Sequence, residues 1–151
     1  MLIAIERLRQ VSDLCQEGKP MDESLANWFG GCLKDFLERR TESFEEAFGL
    51  PSCRGGVPWW KEERMRRRDA ALRDLACGLS GGRADGRPVG ALAREIHQMS
   101  KRYGASAWRI DRERTKMPAA YEGTLKQPLW EAFQSGAPMP LGERQLRNII
   151  A

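Results

Sequence analysis

Arginine is the residue type whose spacing in this sequence suggests chemistry most directly. The chain has 151 residues, and its arginines concentrate in three segments: 61–68, 106–116 and 142–150. In the first segment Arg64 and Arg68 are four residues apart, so on a helix they share a face, while the consecutive residues Arg66, Arg67 and Arg68 point three ways. Guanidinium groups on a helix face suit a phosphate backbone, because each neutralised phosphate releases condensed counterions. The alternative is a solvated helix with ion pairs four residues apart, such as Glu63 with Arg67.

The second segment has the spacing of a helix-turn-helix. Ser100, Gly104 and Ile110 match the small residue before the turn, the turn glycine and the apolar residue after it. Residues 106–114 would then form the basic recognition helix that enters the major groove of DNA. Its candidate contacts are Arg109, Arg112 and Arg114. An ordinary helical hairpin with a basic outer face explains the same residues.

The third segment could pair in a similar way with the helix before it. Ala132 and Gly136 repeat the four-residue spacing, and the segment contributes Arg144 and Arg147 together with a glutamine and an asparagine. These side-chain types read the edges of guanine and adenine. The alternative is a helix that packs its apolar residues on the body of the protein: Leu146, Ile149 and Ile150.

Residues that could hold a metal ion or catalyse a reaction are sparse. The four cysteines, at positions 15, 32, 53 and 77, are 17, 21 and 24 residues apart, which is not the close pairing of a zinc site. His97 is the only histidine, and no phosphate-loop, hydrolase or dinucleotide-binding motif is present. Cys77 and His97 are the one pair that could act as nucleophile and base. We expect no metal, no cofactor and no enzymatic activity, and we expect at least three of the cysteines to be small buried side chains.

The elements that would carry these residues are helices. Apolar residues recur at intervals of three and four, most clearly in one stripe: Leu25, Trp28, Phe29, Cys32, Leu33, Phe36 and Leu37. Asp22 is the expected N-cap of that helix, and Ser43 with Glu46 forms a capping box for a short one. No stretch keeps the alternation with a period of two that a half-buried strand shows. We therefore expect an all-α orthogonal bundle of about six to seven helices.

The charges divide the chain into two parts. Residues 1–53 carry 6 Lys and Arg against 10 Asp and Glu, whereas residues 54–151 carry 19 against 11. The change of sign falls in a loop rich in glycine and proline, residues 50–58, which is a natural boundary. We expect an acidic N-terminal helical hairpin, 1–53, packed on a basic C-terminal helical body, 54–151.

Hydropathy and the first residues indicate a cytoplasmic protein. No apolar run approaches the 18 to 20 residues, roughly, that a membrane-spanning helix needs. The start of the sequence is charged by Glu6 and lacks the basic and apolar regions of a secretory signal. We expect no association with a membrane.

Two functions fit these patterns. The first is a non-enzymatic regulator or accessory protein that binds nucleic acid, double-stranded DNA or another form, through a basic helical face. Its expected contacts are Arg64, Arg67, Arg68, Arg109, Arg112, Arg114, Arg144 and Arg147. The second is a protein-interaction module, an adaptor or inhibitor that docks on a larger protein assembly, as small accessory proteins of phages or mobile elements do. Acidic residues near Phe44 and Phe48 would then meet a basic partner: Glu38, Glu42, Glu45 and Glu46.

Overall fold

The protein is all-helical, as the sequence predicts, in the residues that the structure describes. These are residues 2–50, 57–81 and 87–151 of a computed structural model. They contain eight α-helices, a 3₁₀ turn at Ala119–Tyr121 and no β-strand. The α-helices are α1 (Leu2–Glu17), α2 (Glu23–Leu37), α3 (Phe44–Ala47), α4 (Trp59–Leu79), α5 (Val89–Ala105), α6 (Trp108–Asp111), α7 (Lys126–Gln134) and α8 (Glu143–Ile150).

The chain forms two compact units, an N-terminal unit of Met1–Trp59 and a C-terminal unit of Trp60–Ala151. The boundary expected after residue 53 falls within residues 51–56, which lie outside the described residues. The expected packing of an acidic hairpin on a basic body stays a prediction.

Aromatic rings fill the core of the N-terminal unit. Phe48, just after α3, is almost fully buried together with Ile5 of α1. The rings of Trp28 and Phe29, on α2, lie 5.5 and 5.6 Å from that of Phe48. Asp22 caps α2 as expected, since its Oδ1 accepts a hydrogen bond of 2.9 Å from the backbone N–H of Leu25.

The core of the C-terminal unit is mostly aliphatic, with Tyr103 and Trp130 also buried in it, and it draws on four helices. Its fully or nearly fully buried side chains include Leu72, Leu75, Ala93, Ile96, Leu129, Ala132 and Leu146. Helix α8 packs chiefly on α5.

None of the described helices combines the length and the apolar character that crossing a bilayer would require.

The helix-turn-helix predicted around Gly104 is wrong. Gly104 lies inside α5, which continues to Ala105, and α6 is a single turn of four residues. Gly104 does not make a turn; it lets the Phe133 ring pack closely against α5, since a Cβ placed on the glycine would lie 3.3 Å from Cε1 of Phe133. Ile110, expected to pack inward, is 68% exposed.

The second predicted helix pair also differs from a helix-turn-helix. Residues 135–142 separate α7 from α8, which is long for a tight turn. Because α8 packs on α5, its position is set by a helix from earlier in the chain. Its apolar residues do pack on the body of the unit: Leu146, Ile149 and Ile150.

Candidate nucleic-acid interface

Arg64 and Arg68, which share a face of α4, both make contacts within the C-terminal unit. The Arg68 side chain is only 12% exposed and pairs with Asp69 at 2.6 Å, while its Nη1 donates to the backbone oxygen of Pro138. The guanidinium of Arg64 lies over the Trp60 ring, 5.0 Å from its centroid. Both arginines therefore contribute to local packing.

A second ion pair lies on α4. Glu63 is buried and accepts a hydrogen bond of 2.9 Å from Nε of Arg66 and one of 3.3 Å from Nη2. The alternative interpretation also expects ion pairs along this helix, but with partners four residues apart on a solvated face, whereas here the partners are three residues apart and Glu63 is buried. Arg67, a further expected contact, lies on the exposed side of α4.

The three arginines expected on α6 and after it divide into two classes. Arg112 pairs with Glu113 at 3.1 Å, and Arg114 pairs with Asp111 at 3.4 Å. Arg109 is exposed, and its side chain has no ion pair or hydrogen bond within the described part of the chain. Of the three, Arg109 is thus the one whose guanidinium is available to an external anion.

A buried carboxylate holds this region together. Asp111 accepts hydrogen bonds at the same oxygen, Oδ2, from the hydroxyls of Tyr103 at 2.7 Å and Tyr121 at 2.8 Å. The pKa of Tyr103 is raised, chiefly by burial of its hydroxyl and next by the hydrogen bond to Asp111. The pKa of Tyr121 is also raised, and there the hydrogen bond to Asp111 is the larger cause. Both hydroxyls therefore stay protonated and donate at neutral pH.

Helix α8 presents a polar face to solvent. Leu146 is buried, whereas Arg144 and Arg147 are exposed, and neither arginine has an ion pair or side-chain hydrogen bond among the described residues. Asn148 lies on the same exposed side, four residues after Arg144. This face offers hydrogen-bond donors that no group of the described chain occupies.

Helix α5 adds a row of residues that sequence reasoning missed. Arg94, Gln98 and Arg102 recur every four residues, are all exposed and line one shallow cleft of about 360 Å³. The sequence contains a signal for this row, because its residues recur every four positions on the side of α5 opposite the apolar stripe. The prediction for α5 considered the apolar stripe alone and did not identify them.

An ion pair joins this row to α8. Nε of Arg94 lies 3.7 Å from Oε1 of Glu143, and Arg147 follows Glu143 by one helical turn on the same face of α8. Helix α6, with Arg109, also packs on α5. These exposed polar residues of three helices that pack on one another are grouped under one name, the arginine face: Arg94, Gln98, Arg102, Arg109, Arg144 and Arg147.

The electrostatics of the unit favour an anionic ligand at the arginine face. The sequence from residue 60 to 151 carries 18 Lys and Arg against 11 Asp and Glu, a net charge of +7. Glu95, the carboxylate nearest in sequence to Arg94, pairs with Arg87 at 2.6 Å. Asp111 is buried, and its carboxylate is bonded to Tyr103, Tyr121 and Arg114. Most of the arginine face is therefore not neutralised locally.

A catalytic or metal centre has little support in the described residues. No hydrogen bond joins Cys77 and His97 there, and no group of three metal-ligating side chains comes together. The expectation of buried cysteines is wrong for Cys15 and Cys77, which are exposed, and Cys32 is half-buried. Cys53 lies outside the described residues.

The chain matches no family model, and neither the curated proteins nor the solved structures include one with significant similarity to it. Its own residues are therefore the basis for inferring what it does.

Proposed function

We propose that the C-terminal unit binds nucleic acid through the arginine face and serves as a non-enzymatic regulator or accessory protein. The observation that carries the proposal is the set of exposed arginines with no acidic partner among the described residues: Arg102, Arg109, Arg144 and Arg147. Phosphates satisfy such guanidinium groups with charge-assisted hydrogen bonds. The proposal includes the cytoplasmic location expected from the sequence.

The geometry of α5 favours duplex DNA as the ligand. Arg94 and Arg102 are eight residues apart, about 12 Å along a helix axis, which is close to the width of the major groove, about 12 Å. Gln98 lies between them, and glutamine pairs with the edge of adenine. Single-strand binders rely on exposed aromatic platforms, whereas Tyr103 and Trp108 pack against the core here.

The direct test compares two exposed arginines by fluorescence anisotropy with a labelled 30-base-pair duplex. We expect Arg102→Ala to weaken binding about fivefold, since it removes an unneutralised charge worth ~1 kcal/mol. Arg112→Ala is the matched control, because Arg112 is also exposed but paired with Glu113; it should change the Kd less than twofold. No binding at low salt, or equal effects of the two substitutions, would refute the proposal.

A second candidate function is the protein-interaction module. On the N-terminal unit Leu37 is 75% exposed and Phe44 is 40% exposed, next to an acidic run: Glu38, Glu42, Glu45 and Glu46. Phe48 is buried, so it is not available to a partner. An apolar and acidic surface of this kind suits a basic protein.

A pull-down from the native host, with and without nuclease, separates the two functions. If the arginine face binds nucleic acid, nuclease treatment removes the co-purifying proteins. If the acidic surface recruits a protein directly, that protein stays bound after nuclease treatment, and Leu37→Asp releases it.

A further inference from the structure

A groove lies between α4 and α8, away from the arginine row of α5. Its volume is about 440 Å³, and the segment 138–141 forms one wall. It is lined by Met65, Arg68, Pro138, Met139, Pro140, Leu141, Gln145, Asn148 and Ile149.

Hydrogen bonds fix the walls of this groove without any ligand. Arg68 donates to the backbone oxygen of Pro138, and Oε1 of Gln145 accepts from the backbone N–H of Leu141 at 2.9 Å. Nε of Arg73 donates to the backbone oxygen of Ile149 at 2.9 Å, which ties α4 to α8. A wall held at both ends and stiffened by two prolines loses little conformational freedom when a ligand binds.

The lining is apolar and open to solvent. Leu141 is 89% exposed, more than any other large apolar side chain among the described residues. Met65 and Met139 contribute flexible thioether side chains, which adapt to apolar groups of different shape. Exposing a leucine beside a preformed apolar groove is typical of a surface that a partner covers.

The charges around the groove define the partner. No carboxylate lines it. Arg64 precedes the lining residue Met65, and its side chain lies 3.6 to 3.7 Å from where a Cβ of Gly136 would be, two residues before the lining residue Pro138. Arg144 is exposed and lies on the same side of α8 as the lining residue Asn148, four residues further along. An occupant with carboxylates would meet arginines on both sides.

We propose that this groove binds a short segment of another protein whose apolar side chains are flanked by Asp or Glu. The apolar side chains cover Leu141 and fill the space beside Met65 and Met139. The carboxylates pair with Arg64 and Arg144. Arg144 also belongs to the arginine face, but this inference does not depend on nucleic-acid binding, because no residue of that face lines the groove itself.

The probe is a phage-displayed library of random 12-residue peptides, selected on the full chain. We expect the enriched peptides to combine Leu or Phe with several Asp or Glu. The best of them, synthesised with a fluorescent label, should bind Leu141→Asp at least about tenfold more weakly, because the substitution adds a like charge and removes an apolar contact. Ile110→Asp is the matched control, since Ile110 is also exposed but lies outside the groove.

Three results would overturn the proposal. The first is a selection that enriches no peptides, that enriches basic peptides, or that enriches peptides binding the Leu141→Asp variant as tightly as the wild type. The second is a concentration-dependent increase in mass by analytical ultracentrifugation that Leu141→Asp abolishes, because the occupant would then be a second copy of the chain. The third is loss of duplex binding in Leu141→Ala, which would make the groove part of the nucleic-acid surface. Unchanged thermal unfolding of the Leu141 variants excludes misfolding as the cause.

Discussion

At the scale of single residues, the burial of Asp111 is a property that the sequence does not predict. In the sequence it is one charged residue among basic neighbours, and nothing local distinguishes it from Glu113. In the structure it is buried, because the hydroxyls of Tyr103 and Tyr121 satisfy its carboxylate. Those partners are eight and ten residues away, so the pairing depends on how α5, α6 and the 3₁₀ turn come together.

Replacing this carboxylate should destabilise the C-terminal unit. Asp111→Ala leaves the buried Tyr103 hydroxyl without an acceptor, and we expect a loss of about 2–3 kcal/mol in the free energy of unfolding. Urea titration followed by far-ultraviolet circular dichroism measures it. Glu113→Ala, at an exposed carboxylate two residues away, should change the free energy by less than about 0.5 kcal/mol. Equal effects of the two substitutions would contradict the role given to Asp111.

The same hydroxyl predicts a dependence on alkaline pH. The pKa of Tyr103 is raised in the folded protein, so folding favours its protonated form. The resulting stability is complete below the unfolded pKa, about 10, and is lost as the pH rises above it. The difference in unfolding free energy between wild type and Tyr103→Phe should be constant from pH 7 to pH 9, roughly, and shrink towards pH 11. A constant difference up to pH 11 would show that folding does not raise the pKa of the Tyr103 hydroxyl.

At the scale of elements, the helices were predictable and their pairing was not. The Asp22 cap of α2 and the stripe from Leu25 to Leu33 are local patterns, and both are confirmed, whereas Leu37 at the end of the stripe is 75% exposed. The helix-turn-helix interpretation of Gly104 failed because the ring packed on that glycine comes from Phe133 in α7, 29 residues further along. Arg68 was predicted to be a contact, but it is tied to Pro138, 70 residues away. Long-range partners of this kind leave no periodic trace in the sequence.

Helix α8 gives a test of this element-level account. Leu146 is almost fully buried in the core that α8 shares with α4, α5 and α7, so Leu146→Ala should cost about 2–5 kcal/mol in unfolding free energy. Leu141→Ala makes the same chemical change at a site that is 89% exposed, and it should cost less than about 0.5 kcal/mol. Urea titration of both variants measures the difference, and similar costs would mean that α8 does not pack as described.

At the scale of the whole molecule, the N-terminal and C-terminal parts differ in the sign of their net charge. The sequence showed the acidic front and the basic remainder, because net charge needs no structure. It could not show which basic residues are available, since that depends on where Asp69, Glu113 and Asp111 lie. Of the eight arginines expected to contact nucleic acid, three belong to the arginine face: Arg109, Arg144 and Arg147. The structure adds Arg94 and Arg102.

The salt dependence of duplex binding tests the central claim most directly. Five phosphate contacts predict that log K falls with log salt concentration with a slope of about −4.5, measured between about 50 and 200 mM salt. A variant with glutamine at five positions should bind at least about 100-fold more weakly at the lowest salt and lose most of that slope. The five positions are Arg94, Arg102, Arg109, Arg144 and Arg147. Failure of the wild-type chain to bind at low salt, or an unchanged slope in the variant, would contradict the account.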